Sequence, residues 1–133
     1  PPRSTLFPYT TLFRSDDMLD SNLMLIESAA DVEATVTGTG VKIGPSVEDE
    51  TWLIYVPSKA GTTPTLVVTI EESADNSSWT QTTSLTVSAA GQYFQTVKSN
   101  KDYRRAVLTV GGTTPNWGKV MVGRVSAGQY KNW

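Results

Sequence analysis

The chain contains neither cysteine nor histidine. Their absence excludes disulfides, Cys/His zinc sites, cysteine nucleophiles and any Ser-His-Asp triad within one chain. An excess of charge of one sign is missing as well: 11 basic residues against 13 acidic leave a net charge of −2. A small nucleic-acid binder needs a strong basic excess to displace counterions, so no nucleic-acid partner is expected. No apolar run is long enough to span a bilayer, and no membrane partner is expected either. The opening residues do not read as a signal peptide, because Arg3 precedes no sustained apolar stretch and Pro8 interrupts what there is. Gly38-Thr39-Gly40 and Gly111-Gly112 lack the spacing and trailing lysine of a phosphate loop, and no calcium-loop pattern occurs. No cofactor is expected, and catalysis is left with few routes.

What remains is a chain of 133 residues, the size of one ordinary domain, with 38% hydrophobic and only 18% charged residues. Thr, Val, Ser and Gly dominate, a composition of strands and turns. Residues 1–15 (PPRSTLFPYTTLFRS) differ from the rest and resemble translated sequencing-adapter sequence. The expected organisation is a non-native segment over 1–15, one domain over 16–128 and a tail over 129–133, with a native start near Met18. The competing expectation is that the sticky Leu, Phe and Tyr residues of 1–15 pair as an extra strand on a sheet edge.

From Asn22 the pattern is regular. Residues 22–27 are a short apolar run, and 31–37 alternate Val32, Ala34 and Val36 with polar neighbours, which predicts a strand. Residues 51–56 (TWLIYV) are nearly all large and β-forming, and predict a strand buried on both faces. Residues 57–64 and 111–116 read as loops. Strands are expected over 65–71, 79–83, 85–87, 91–97, 103–110 and 119–125, with turns at 72–78 and 99–102. A helix over 20–30 is the weaker alternative to a first strand. About eight short antiparallel strands with evenly spaced turn signals define an all-β fold, a β-sandwich or jelly roll.

Glu71 and Glu72 are adjacent in a strand and point to opposite faces, so they cannot share one substrate without a bulge. The run Glu48-Asp49-Glu50 reads as a solvated loop. Asp75 and Asn76 sit in a turn, where such residues bond their own backbone. Lys98, Lys101, Arg104 and Arg105 form the one basic group, and read either as a solvated hairpin end or as a patch for an acidic protein surface. Arg104 and Arg105 face opposite sides, so only one serves. Trp52 and Tyr55 read as core, and Trp79 as a plug at the sandwich end. Trp117 reads as lying in a loop, and the tail that carries Tyr130 and Trp133 is expected to dock on its own domain or on a partner.

The layout from Met18 to Gly128 resembles the capsid cement, or decoration, proteins of tailed phages. The resemblance rests on Met18-Leu19-Asp20, on residues 65–72 leading through Ser73-Ala74-Asp75 to Trp79, and on Gly91-Gln92-Tyr93-Phe94. Its strongest part is Tyr103-Arg104-Arg105-Ala106-Val107-Leu108-Thr109-Val110, a Gly/Thr/Pro loop, and a closing strand ending in Ser126-Ala127-Gly128. It implies a jelly-roll-like domain on the exterior of a virion, assembled in the host cytoplasm. Its partners would be the major capsid protein and further copies of itself as a dimer or trimer, with no catalytic residue. The expected contact residues are Lys98, Lys101, Arg104, Arg105, Trp117, Tyr130 and Trp133. The alternative is a carbohydrate-binding sandwich of a receptor-binding or adhesin protein, with Trp117, Tyr130 and Trp133 as a stacking platform.

Overall fold

The structure, a computed structural model, describes residues 19–125. The described chain has no helix and folds into two antiparallel sheets. The strands are β1 (Leu19–Glu27), β2 (Val36–Thr37), β3 (Val41–Lys42), β4 (Glu50–Val56), β5 (Ala60–Ser73), β6 (Thr80–Val87), β7 (Gly91–Val97), β8 (Tyr103–Asn116) and β9 (Met121–Val125). One sheet runs β1-β9-β4-β7. The other runs β2-β8-β5-β6, with β3 also on β8.

The pairing is nested. β5 pairs with β6, β4 with β7, β2 and β3 with β8, and β1 with β9. The chain is therefore one long hairpin whose successive rungs fall on alternate sheets. Rolling it up adds the β4–β9 and β5–β8 ladders.

Period-two alternation puts one side of each strand into the space between the sheets. Trp52, Ile54 and Val56 of β4 meet Leu66, Val68 and Ile70 of β5 and Ala106 and Leu108 of β8, with Val122 of β9 beside them. Leu53 lies one step out of phase, in register with Phe94 and Gly123, and is buried too. The expected two-faced burial of this strand is thus observed.

Two expectations are corrected. Residues 31–35 are not a strand, because the backbone there bonds to a loop instead: Val32 N–H donates to Gly118 O at 2.8 Å, and Trp117 N–H to Val32 O at 3.0 Å. Residues 60–64 and 111–116 are not loops but the outer thirds of β5 and β8, paired with each other.

That paired corner is built on a repeated tetrapeptide. Gly61-Thr62-Thr63-Pro64 and Gly112-Thr113-Thr114-Pro115 are identical in sequence. Thr62 pairs with Thr113, flanked by Ala60 with Asn116 and Thr65 with Gly111. A local two-fold axis through the central pair exchanges the flanking pairs. Backbone angles obey the same symmetry: φ is +113° at Gly61 and +101° at Gly112, and 45° at Thr63 and 47° at Thr114. Each positive-φ threonine donates its hydroxyl to the preceding carbonyl at 2.8 Å. Here β4 crosses to β5 and β8 crosses back to β9, so both crossings use the same bulged corner. The strain of a β-branched residue at positive φ is borne twice, side by side.

Candidate functional site

The expected basic group lies at the opposite end of the sandwich, around residues 98–102, and the structure divides it. Arg104 alternates in phase with Ala106 and Leu108, so its side chain enters the core and is fully buried. It cannot be a surface contact, which corrects that expectation. Its Nε donates to Glu50 Oε1 at 3.1 Å and its Nη2 to Oε2 at 2.7 Å, a two-pronged pair joining β8 of one sheet to β4 of the other. The remaining N–H groups reach Lys101 O at 2.7 Å, Gly44 O at 3.2 Å and Ser46 Oγ at 3.2 Å. Glu50 is itself 1% exposed and accepts from Trp52 Nε1 at 3.1 Å and Ser46 Oγ at 2.6 Å. It is not part of a solvated acidic loop, which corrects the reading of the 48–50 run. A buried charge pair is tolerable only when its polar atoms are satisfied, and this one is.

Arg105 points outward, as the alternation requires. Its Nε donates to Glu71 Oε1 at 2.6 Å, and its guanidinium stacks 4.5 Å from the Trp79 ring centroid. Trp79 is half-buried on the outer side of this sheet, close over Gly40, where a Cβ would come within 2.9 Å of the ring. It does not plug the sandwich end. The bulge between Ile70 and Glu71 on the β5–β6 ladder does not assemble an acid pair, because Glu71 is committed to Arg105.

Lys98 and Lys101 are left. Neither has an ion-pair partner among the described residues. Lys98 is exposed, and Lys101 lines a groove of about 220 Å³ with Glu72, Ser73, Ala74, Asp75, Ser78 and Thr80. The floor of that groove is a self-bonded turn. Asp75 Oδ1 accepts from the Ser78 N–H at 2.9 Å, the Ser77 N–H at 3.0 Å and the Ser73 hydroxyl at 3.0 Å. These bonds favour the carboxylate and hold Asp75 below the ordinary aspartate range, the Ser78 amide contributing most. A folded-state pKa below the unfolded one orders the turn above the unfolded value and releases it as pH falls through the folded value. The Ser77 and Ser78 amide resonances are therefore expected to titrate together, at a pH below the usual aspartate range, and to be flat in Asp75→Ala. Titration in the ordinary range would contradict the hydrogen-bonded turn.

Trp117 is fully buried as well, which corrects its assignment as a surface ring. It closes the corner end, with Lys59 Nζ 6.0 Å from its ring centroid and Gly118 in left-handed backbone next to it. Its Nε1 is the one buried side-chain polar atom without a partner among the described residues. A single ordered water would satisfy it. Tyr130 and Trp133 lie outside the described residues, as do residues 1–15.

Sequence reasoning missed a different surface. Strands β6 and β7 are the outer strands of their sheets and lie on the same flank, bridged by Thr83 Oγ1 donating to Gln95 Oε1 at 2.5 Å. From Asn76 to Val97 the chain carries no charged residue and no proline. The signal was visible as a 22-residue gap in the charge pattern. Among the described residues, no group of three or more His, Cys, Asp and Glu side chains is placed to hold a metal ion. Comparison with known proteins finds no family model that matches the chain, and no curated protein similar to it in sequence.

Proposed function

We propose that the protein is a non-enzymatic structural module of a phage virion, which binds the capsid exterior and cements neighbouring major capsid proteins. The observation that carries this reading is the presence of two surface features suited to adhesion on one internally clamped brick. One is the end that carries exposed Lys98 and, in a groove shared with Glu72 and Asp75, Lys101; the other is the uncharged flank of β6 and β7. A cement needs at least two contacts, because bridging neighbours requires valency above one. The winding supports the reading. With β2 and β3 taken as one interrupted strand, the nested pairing is of the kind a jelly roll would need, an architecture common in viral capsid domains. The segments that carry the resemblance to decoration proteins supply most of β5, β7, β8 and β9. The mechanism is mass action: a protein that binds only the assembled shell stabilises that shell by its binding free energy.

Lys98 and Lys101 have no ion-pair partner among the described residues and would meet acidic side chains of the shell, whereas Arg104 and Arg105 are already neutralised within the domain. Reversing both lysines, K98E with K101E, is expected to weaken co-sedimentation with capsids by about tenfold or more, mainly through attraction turned to repulsion. The thermal midpoint of the free domain should stay within a few degrees of wild type. Unchanged occupancy on the shell would reject this end as the attachment site.

A further inference from the structure

We propose that the β6–β7 flank binds a second copy of this chain, with β7 pairing antiparallel to its counterpart across a two-fold axis at Phe94. The inference rests on reading the flank as an adhesive surface and names what adheres to it.

Edge strands present unpaired N–H and C=O groups, and soluble proteins blunt them with charges, prolines, bulges or very short strands. This molecule applies those devices to every sheet edge but β7, and β6 itself is bulged between Gln81 and Thr83. β1 meets β9 with two register shifts, and the edge beside β8 is broken into β2 and β3, of two residues each. β7 has none of them. Its seven residues pair with β4 in an unbroken register from Glu50–Val97 to Val56–Gly91. Neither β7 nor β6 carries a charge or a proline, although 18% of the chain is charged. Among the described residues, no strand covers the outer side of either.

Phe94 is the middle residue of β7 and is 46% exposed. Antiparallel self-pairing about it sets Phe94 opposite Phe94, Gln92 opposite Thr96 and Gly91 opposite Val97. The aromatic pair gains cross-strand contact, and no like charges meet. A strand without charge has no means of fixing the register of a charged partner. A strand with its one exposed large apolar residue at the centre is complementary to itself, as a two-fold interface requires. Pairing would join the two copies of each sheet side by side, with the two Lys98–Lys101 turns at opposite ends of the dimer, so that only one of them meets a given shell contact.

The absence of native cysteine makes the test direct. In an antiparallel pair, opposed Cα atoms lie about 4.5–5.5 Å apart, within the span of a disulfide. F94C is expected to form a covalent dimer under mild oxidation, while T96C, opposed to Gln92, stays monomeric on the same gel. Wild-type protein should sediment at twice the chain mass, and F94K at the chain mass with its thermal midpoint retained. A wild-type monomer or trimer at about 100 μM, or equal cross-linking of F94C and T96C, would overturn the proposal. These measurements use no capsid, so they stand apart from the cement reading. A monomer that still coats shells defeats the dimer alone, and a dimer that leaves shells bare defeats the cement reading alone.

Discussion

Arg104→Met is expected to cost about 3–5 kcal/mol of unfolding free energy, because it strands the Glu50 carboxylate in the core without its partner. A domain of this size is stable by only about 5–15 kcal/mol, so the loss is a large share of the total. Four other acceptors would lose their donor too: Lys101 O, Tyr103 O, Gly44 O and Ser46 Oγ. The paired replacement, Glu50→Met with Arg104→Met, should recover part of the loss, since it removes both charges from the core. The pair is therefore read as a register device between sheets, with little net gain over apolar packing. Urea unfolding of the three variants checks this. A single variant within about 1 kcal/mol of wild type would show that Glu50 finds another partner or water.

Gly61→Ala and Gly112→Ala are expected to destabilise by about 2–5 kcal/mol each, and by nearly equal amounts. Both glycines hold φ above +100°, a region closed to side chains. A Cβ at Gly61 would lie 2.6 Å from Thr114 O, and one at Gly112 would lie 2.5 Å from Thr63 O. The obstruction is backbone in both cases, so no side-chain rotation relieves it. The equality is the sharper expectation, because it follows from the two-fold symmetry of the corner and not from either glycine alone. Unequal losses, differing by more than about 1 kcal/mol, would mean that one copy of the tetrapeptide is not held as the other is.

The strands best read from sequence were those whose side chains state their own environment. Residues 51–56 and 91–97 are dense in β-branched and aromatic residues, the first stopping at Pro57 and the second starting at Gly91, and both match observed strands closely. The corner was illegible for a physical reason. Gly-Thr-Thr-Pro is turn chemistry locally, and it becomes strand only because a second copy 51 residues away pairs with it. The recurrence of the tetrapeptide was the available signal. Arg104 was legible in part. Its alternation with Ala106, Leu108 and Val110 put it on the apolar face, yet nothing local showed that Glu50, 54 residues earlier, would meet it there. Residues 31–35 mislead in the other direction: their alternation is real, but the ladder it would need is replaced by bonds to Trp117 and Gly118. Trp117 followed Pro115-Asn116 and so read as exposed loop, whereas Gly118 at φ 76° turns the chain and carries the ring inward.

The most direct test of adhesion to a shell is electron microscopy of the particle that carries this chain, at a resolution that separates sheets. The account predicts a two-sheet density of this size on the outer surface, seated where shell subunits adjoin, with its 98–102 turn towards the shell. A bare exterior on particles that contain the protein, or this density inside the shell, would contradict it.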